Sequence, residues 1–202
     1  MTIPETEGKI REKFSDAVLS RNDFRGELSL EIRPSAIRDV SLFCRDLLGF
    51  DYLLDITSID QFDTEPRWEV VYELYSMDRS QHLRLRIRMN EDDCEADTVS
   101  DIWATADWHE REIYDMMGIR FRNHPDLRRI LMWDGYPYFP LRKDFPLEGK
   151  PSDVPDVAFT EVAPLAGGPF VTAPTTGNTQ VREPRARHAG ELPVTEKFIA
   201  EP

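Results

Sequence analysis

The chain has 202 residues, 40% of them hydrophobic, and a formal net charge of -13 at pH 7. This length fits one domain with appendages, since domains commonly hold ~100 to 200 residues. The acidic charge argues against nucleic acid and anionic membrane surfaces as direct ligands, because both require clustered Lys and Arg.

The N-terminal part of the chain predicts a helix, a strand and a second helix. Residues 8 to 20 carry apolar side chains at helical spacing, which predicts a short amphipathic helix. Residues 27 to 33 alternate strictly between apolar and polar side chains, as a half-buried strand does. Pro34 suits a first helical turn, and the apolar stripe that follows it ends at Gly49. We expect this second helix to lie on the sheet.

Three further strands are predicted over residues 51 to 59, 67 to 77 and 81 to 89. The link 77 to 80 is short enough for a hairpin between the last two. The last strand alternates apolar residues with three arginines, Arg84, Arg86 and Arg88. Because acids occupy the neighbouring strand, we expect a solvated face of cross-strand ion pairs in preference to an anion site.

A third helix is predicted from the Thr98 and Asp101 pair, which resembles a capping box, to Gly118 as its C-terminal stop. This order of elements predicts an α+β fold over residues 1 to 148, with helices packed on one mixed sheet in two layers. Residues 149 to 202 hold eight of the 15 prolines and five of the ten glycines and show no helical or strand period. We expect them to form an extended C-terminal arm.

Charged residues are dense and balanced around the end of the third helix. Arg111 and Glu112 stand four and three positions before Asp115, so all three can share one face, with an intrahelical ion pair from Arg111 to Asp115. One interpretation is a paired-carboxylate acid/base site, and the other, which we favour, is a structural or interface network. The network would draw on the arginines that follow in the chain, Arg120, Arg122, Arg128 and Arg129.

The sequence argues against a metal or nucleophile of this chain's own. His109-Glu110 begins like a zinc-protease motif, but Ile113 stands where the second His must fall. Cys44 and Cys94 lie outside any Cys-x-x-Cys pair, so we expect free thiols and no zinc or iron–sulfur site. No nucleophile elbow, phosphate loop or nucleotide-binding fingerprint is present. No secretory stretch or run of ~20 apolar residues is present, so we expect a soluble protein of the cytoplasmic side.

Two stretches that contain proline follow the third helix. His124-Pro125-Asp126 predicts a turn entering a short helix, with His124 as a hydrogen-bonded structural residue and Asp126 near the helix N-terminus. Pro137, Pro140 and Pro146 exclude regular helix between them and leave an extended segment. Its Arg, Asp and Phe side chains suit insertion into a partner's groove, although the segment could equally pack back on its own sheet, or do both.

The residues that carry a family resemblance lie between positions 103 and 148. They are Trp108, Glu110-Arg111-Glu112, Asp115, Gly118-Ile119, Phe121, His124-Pro125, Leu127, Arg129-Ile130-Leu131 and Pro140-Leu141-Arg142-Lys143-Asp144-Phe145-Pro146. In these positions the chain resembles the C subunit of proton-pumping NADH-quinone oxidoreductase (respiratory complex I), which is the thirty-kilodalton subunit. Phe139 stands where this family commonly has a His, which argues against an obligatory proton-handling role for that His.

The resemblance implies a protein without catalytic, cofactor-binding or metal-binding residues of its own. Such a protein belongs to the peripheral arm, on the cytoplasmic face of the bacterial inner membrane, and packs against the D subunit of the complex with the B and I subunits nearby. Electrons from NADH pass through FMN and iron–sulfur clusters in partner subunits to quinone. The residues expected at the interface are Glu110, Arg111, Glu112, Asp115, Gly118, His124, Pro125, Arg129, Pro140, Leu141, Arg142, Lys143, Asp144, Phe145 and Pro146.

Three alternatives stay open from the sequence. The first is the equivalent subunit of a related membrane-bound hydrogenase or of a ferredoxin- or coenzyme-linked dehydrogenase. The second is a free-standing hydrolase that uses Glu110, Glu112 and Asp115. The third is an assembly scaffold that leaves before the complex is mature.

Overall fold

A computed structural model of the chain describes residues 3–133 and 135–146. Its helices are α1 (Ile3–Lys13), α2 (Ile37–Asp46, after a 3-10 turn at Pro34–Ala36) and α3 (Ala106–Met117). Its strands are β1 (Val18–Phe24), β2 (Glu27–Ile32), β3 (Tyr52–Asp60), β4 (Trp68–Ser76), β5 (Gln81–Met89), β6 (Glu95–Asp97) and β7 (Arg120–Arg122). The predicted α+β class is confirmed. The predicted arm, 149 to 202, lies outside the described residues.

Five strands form one mixed sheet in the order β1-β2-β5-β4-β3. The central pair β2 and β5 is parallel, and the other neighbours are antiparallel. The short strands β6 and β7 form a separate parallel pair on either side of α3 in the chain. Because the two strands are parallel neighbours, the strand that follows α3 lies beside the strand that precedes the loop before it.

The alternation of each strand decides which face of the sheet is buried. Leu30, Leu85, Tyr72 and Ile56 lie in register across β2, β5, β4 and β3, and none is more than 3% exposed. They pack in one core cluster with apolar residues from α1, α2 and α3. Burial of such a row supplies the main stabilisation of the domain, at ~1.5 to 3 kcal/mol for each large apolar side chain.

The opposite face carries the expected cross-strand ion pairs. Arg84 on β5 pairs with Glu73 on β4, and Arg86 and Arg88 each lie 3.2 Å from a carboxylate oxygen of Glu69. Opposite charges on adjacent strands stabilise the pairing. The predicted cross-strand pairing is therefore confirmed, but the prediction that this face is solvated is wrong at Glu69, which is only 3% exposed.

The predicted bounds of the first and third helices are wrong. The first helix begins at Ile3 and not at residue 8, and it ends at Lys13 and not at residue 20. Val18 begins β1, because a turn through Arg25 and Gly26 at positive φ folds this stretch back on β2. The third helix begins at Ala106 and not at Thr98. The Thr98 hydroxyl instead donates a hydrogen bond to a carboxylate twelve residues further on, so the capping-box pattern serves a tertiary contact.

A candidate docking surface and the network that supports it

The buried carboxylate of Asp115 fixes the chain segment that follows β7. Its Oδ1 accepts a hydrogen bond from Arg129 Nη1 at 2.7 Å. Its Oδ2 accepts the backbone N–H groups of Ile130, Leu131 and Met132 at 3.0, 2.6 and 2.8 Å. Burial alone would raise the pKa of Asp115, but these hydrogen bonds to the charged form lower it. Asp115 therefore binds residues 129 to 132 to the side of α3 as an ionised group.

The predicted intrahelical pair between Arg111 and Asp115 is wrong. Arg111 Nε donates to the backbone carbonyl of Arg128 at 3.2 Å, and its guanidinium lies 4.9 Å from the ring centroid of Trp108. Arg129 takes the place of Arg111 at Asp115, because the tertiary segment presents a guanidinium and three N–H groups together. The predicted network is present, with Arg129 as its cation, whereas Glu112 is exposed and stands outside it.

Glu110 is fully buried in a different direction from Asp115. Its Oε1 accepts the N–H of Val99 at 2.8 Å, and its Oε2 accepts the hydroxyl of Thr98. Burial raises the pKa of Glu110 to about 7, although both hydrogen bonds act to lower it. The carboxylate thus joins α3 to the loop before it.

His124 is a hydrogen-bonded structural residue, as expected. Its ring is fully buried, Nδ1 accepts the N–H of Asp126 at 3.0 Å, and Nε2 lies 3.2 Å from the carbonyl of Asp107. Since Nδ1 accepts, the hydrogen of the neutral ring stands on Nε2 and points to α3. The short helix predicted after Pro125 is wrong, because this stretch is a turn in which the Asp126 carboxylate pairs with Arg128 at 2.9 Å.

Gly118 ends α3 as predicted, and its missing side chain makes room for the proline-rich segment. It adopts φ +82°, and a Cβ there would stand 2.5 Å from Arg142 Nη2 and 2.7 Å from Phe139 Cε2. Leu141 N–H and Arg142 Nε donate to the last carbonyls of the helix, at 3.2 and 2.6 Å. The guanidinium of Arg142 also stacks on the rings of Trp68 and Phe139. Residues 139 to 142 therefore close over the helix end.

A second ion pair holds the end of the proline-rich segment at the edge of the sheet. Arg67 donates to both carboxylate oxygens of Asp60, at 2.9 and 3.0 Å, and both residues are buried. The N–H of Lys143 donates to Asp60 at 2.9 Å, and Asp144 lies 3.5 Å from Arg67. Burial alone would raise the pKa of Asp60, but Arg67 and the N–H donors lower it to about 2. The alternative that this segment packs back on its own sheet is confirmed.

Sequence reasoning missed the role of Asp60 and Arg67. The two lie in and beside strands, seven positions apart, and only the fold brings them to residues 143 and 144. The sole local signal was a carboxylate at the last position of strand β3. The three prolines expected at the interface lie outside helices and strands. Pro125 is exposed in its turn, and Pro140 and Pro146 are half-buried. Phe145 packs against the ring of Tyr138 with centroids 5.9 Å apart.

Three large apolar side chains around α3 remain exposed. They are Trp108, Leu131 and Leu141, exposed by 62%, 58% and 57%. Within residues 3–133 and 135–146, no group of three or more His, Cys, Asp or Glu could hold a metal ion. Over the same residues, no helix is long and apolar enough to span a bilayer. Cys44 and Cys94 are free thiols, as predicted, and burial raises the pKa of both.

Comparisons with known proteins place the chain among respiratory subunits. The family model described as respiratory-chain NADH dehydrogenase, 30 Kd subunit, matches residues 30–151. The C subunit of NADH-quinone oxidoreductase from Geotalea uraniireducens is 45% identical over 141 residues, which are 70% of this chain and 86% of the relative. The C 2 subunit of the same enzyme from Rhizobium meliloti is 41% identical over 166 residues, 74% of this chain and 89% of the relative.

Two solved structures share the fold. A trypsin-resistant fragment of Nqo5 is 28% identical with a TM-score of 0.55, and the match covers 63% of this chain and all of the fragment. A chain of the membrane-bound sulfane sulfur reductase, an archaeal respiratory membrane complex, is 25% identical with a TM-score of 0.60, over 71% of this chain and 85% of that one. The chain belongs to the 30 kDa subunit family of respiratory-chain NADH dehydrogenase.

Proposed function

We propose that the chain is a cofactor-free structural subunit of the peripheral arm of a proton-translocating NADH-quinone oxidoreductase. It docks to the D subunit of that complex, with the B and I subunits nearby, and reaches the cytoplasmic face of the membrane only through the complex. The electrons move through FMN and iron–sulfur clusters of partner subunits. The family match over residues 30–151 supports membership of such a complex.

The contacts of the charged residues in the family signature, which is the set of resembling positions between 103 and 148, support the structural role. Asp115 and Arg129 hold residues 129 to 132, and Arg142 holds the segment after Pro140 to the end of α3. These groups hold a segment without regular structure against a rigid helix, and they satisfy the hydrogen-bonding groups of its backbone. The result is a preformed surface that a partner can bind. The signature residues named from the sequence would then form the junction between the α+β domain and its neighbours.

The hydrolase alternative finds no support in the geometry of its carboxylates. Glu110 is buried against Thr98, Asp115 is buried under residues 129 to 132, and Glu112 points to solvent. A paired-carboxylate mechanism requires both groups to face one substrate. Purified chain with and without Glu112→Ala should show equal, background-level hydrolysis, and metal-stimulated turnover by the unmutated chain alone would overturn the structural role.

Purification of the native assembly tests the proposal directly. We expect mass spectrometry to find this chain in stoichiometric amount with the D, B and I subunits, in a complex that reduces quinone with NADH. Absence of the chain from the mature complex would favour the assembly scaffold. A complex that contains the chain but takes electrons from a hydrogenase or ferredoxin module would favour the related-complex alternative, which the likeness to a sulfane sulfur reductase chain supports.

The C-terminal arm has its own test. We propose that residues 149 to 202 lie along the D subunit. Deletion of these residues should lower the yield of assembled complex on native gels, while the truncated domain itself stays folded. Intact assembly with full quinone reductase activity would refute a role for the arm.

A further inference from the structure

Three large apolar side chains on or beside α3 are exposed. Trp108 projects from the helix itself, with 62% of its surface exposed. Leu131 and Leu141 are fixed beside the same helix, because their N–H groups donate to the Asp115 carboxylate and to the Met116 carbonyl. Large apolar groups exposed near one another are a feature of interaction sites.

These side chains are held ready for contact. The guanidinium of Arg111 lies 4.9 Å from the Trp108 ring centroid, and the same guanidinium is hydrogen-bonded to the carbonyl of Arg128. The N–H of Leu131 donates at 2.6 Å to a carboxylate that also binds its two neighbours. Binding at these side chains would therefore cost less conformational entropy than binding that must first order a loop of this chain.

One exposed acid of α3, Glu112, lacks a partner among the residues that the structure describes. Asp107, Glu110, Arg111 and Asp115 of α3 each bind another described residue of the chain. Glu112 is exposed and has no hydrogen bond or ion pair to any residue between positions 3 and 146 that the structure describes. It stands one helical turn from Trp108, so the two side chains share a face.

Resting on the function proposed above, we propose that Trp108, Glu112, Leu131 and Leu141 form the docking face, and that another subunit of the same complex occupies it. The occupant presents an apolar pocket flanked by a lysine or an arginine. A carboxylate enclosed by an apolar contact is costly unless a cation pairs with it, so the partner must supply that cation opposite Glu112. The charged groups of Glu110, Arg111, Asp115, Arg129 and Arg142 bind within this chain and contribute to docking through the positions of the exposed groups.

Substitutions in the native complex test the docking face. Trp108→Ala and Glu112→Lys should each lower the fraction of this chain found in the assembled complex by about tenfold, as loss of a central anchor does. Matched controls are Leu19→Ala, an exposed apolar residue of β1, and Glu12→Lys, an exposed acid of α1, which should leave assembly unchanged. Thermal unfolding of each purified variant separates loss of docking from loss of folding.

The two proposals fail in different ways. If the unmutated chain is absent from the complex, the proposed function is wrong. If it is present, and folded Trp108 and Glu112 variants assemble as well as the unmutated chain, the function stands and this docking face is wrong.

A photo-activated cross-linker at position 131 identifies the occupant. We expect a cross-link to a segment of another subunit that contains Lys or Arg, and exchange of that residue for Glu should restore assembly of the Glu112→Lys variant. Cross-links to lipid, or to the C-terminal residues of this same chain, would overturn the proposed occupant. A cross-linker at position 19 serves as the control and should give no such product.

Discussion

The buried carboxylate of Glu110 makes the stability of the domain depend on pH. No cation accompanies it within the described part of the chain: the nearest basic atom, Nε2 of His124, is 3.8 Å away and lies 3.2 Å from the carbonyl of Asp107. The acids Asp107 and Asp101 face the same site and also oppose ionisation of Glu110. The folded protein therefore holds a proton on Glu110 that the unfolded chain releases more readily.

The sign and size follow from the two pKa values. The pKa of Glu110 rises from the ordinary 4.5 to about 7 on folding. Below the ordinary value both states are protonated, and the stabilisation is complete. As pH rises the unfolded chain ionises first, so the free energy of unfolding falls until the folded pKa is passed. At about 1.4 kcal/mol for each pKa unit, this loss amounts to about 3 kcal/mol.

Substitution Glu110→Gln isolates this contribution. The amide imitates the protonated acid, since its oxygen can accept the N–H of Val99 and its NH₂ can donate to Thr98. We expect variant and unmutated chain to have similar unfolding free energies near pH 4.5, and the variant to be more stable by up to about 3 kcal/mol at pH 8.

Chemical denaturation of the full chain, followed by tryptophan fluorescence between pH 4.5 and 8.5, measures the difference. The control is Glu112→Gln, an exposed acid on the same helix, whose curve should run parallel to that of the unmutated chain. A Glu110→Gln variant that is less stable than the unmutated chain at pH 8 would refute the reasoning, because the carboxylate would then be held ionised by a cation in the fold.

Three further substitutions test the network around α3. Gly118→Ala should destabilise the domain by more than ~1 to 2 kcal/mol, because left-handed backbone alone costs that much and the new Cβ meets Phe139 and Arg142. Gly8→Ala in α1, where a Cβ meets nothing, should be neutral or stabilising by ~0.5 to 1 kcal/mol, and equal effects at both sites would contradict this account. Asp115→Asn should cost ~3 to 5 kcal/mol, because it leaves the largely buried guanidinium of Arg129 without its counter-charge. Hydrogen exchange at residues 130 to 132 should accelerate, whereas unchanged protection would show that the carboxylate does not hold this segment. The pKa of Asp60 is lowered to about 2, so its contribution to the free energy of unfolding is present above the ordinary pKa of 3.8 and is lost as pH falls through 2. Asp60→Asn should therefore make the free energy of unfolding depend less on pH in this acidic range. An unchanged pH dependence would exclude that role.

The sheet was predictable from the sequence where one face of a strand is apolar and buried and the other face is polar. In β2 and β5 apolar and polar residues alternate because one face enters the core and the other carries ion pairs. Strand β1 gave no such pattern, because it is an edge strand in which Val18 is buried and most later residues are exposed. Its pairing with β2 comes from the tight turn at Arg25 and Gly26. Val18, its first residue, also fits the helical spacing of the residues before it, and the predicted first helix therefore extended too far.

The site was predictable as a set of residues but not as a set of contacts. Helical spacing correctly placed the charged positions on α3, yet it assigned Asp115 to Arg111, four positions away. The observed partner, Arg129, is fourteen residues away in the chain. Spacing reports which side chains share a face, whereas the choice of partner depends on a segment without regular structure, for which no period exists.

The absence of regular structure explains why the signature is rich in charge. Between Leu127 and Pro146 the described chain forms neither helix nor strand, so its N–H and C=O groups must bind something other than a neighbouring ladder. Asp115 accepts three of those N–H groups, Asp60 accepts that of Lys143, and Arg129 donates to the carbonyl of Tyr138. Carboxylates and guanidiniums thus take the place of a sheet partner, and a density of balanced charge follows from the need to hold an irregular segment. It also follows that the partner surface is to be sought among the groups this network leaves exposed, which include the apolar side chains of Leu131 and Leu141.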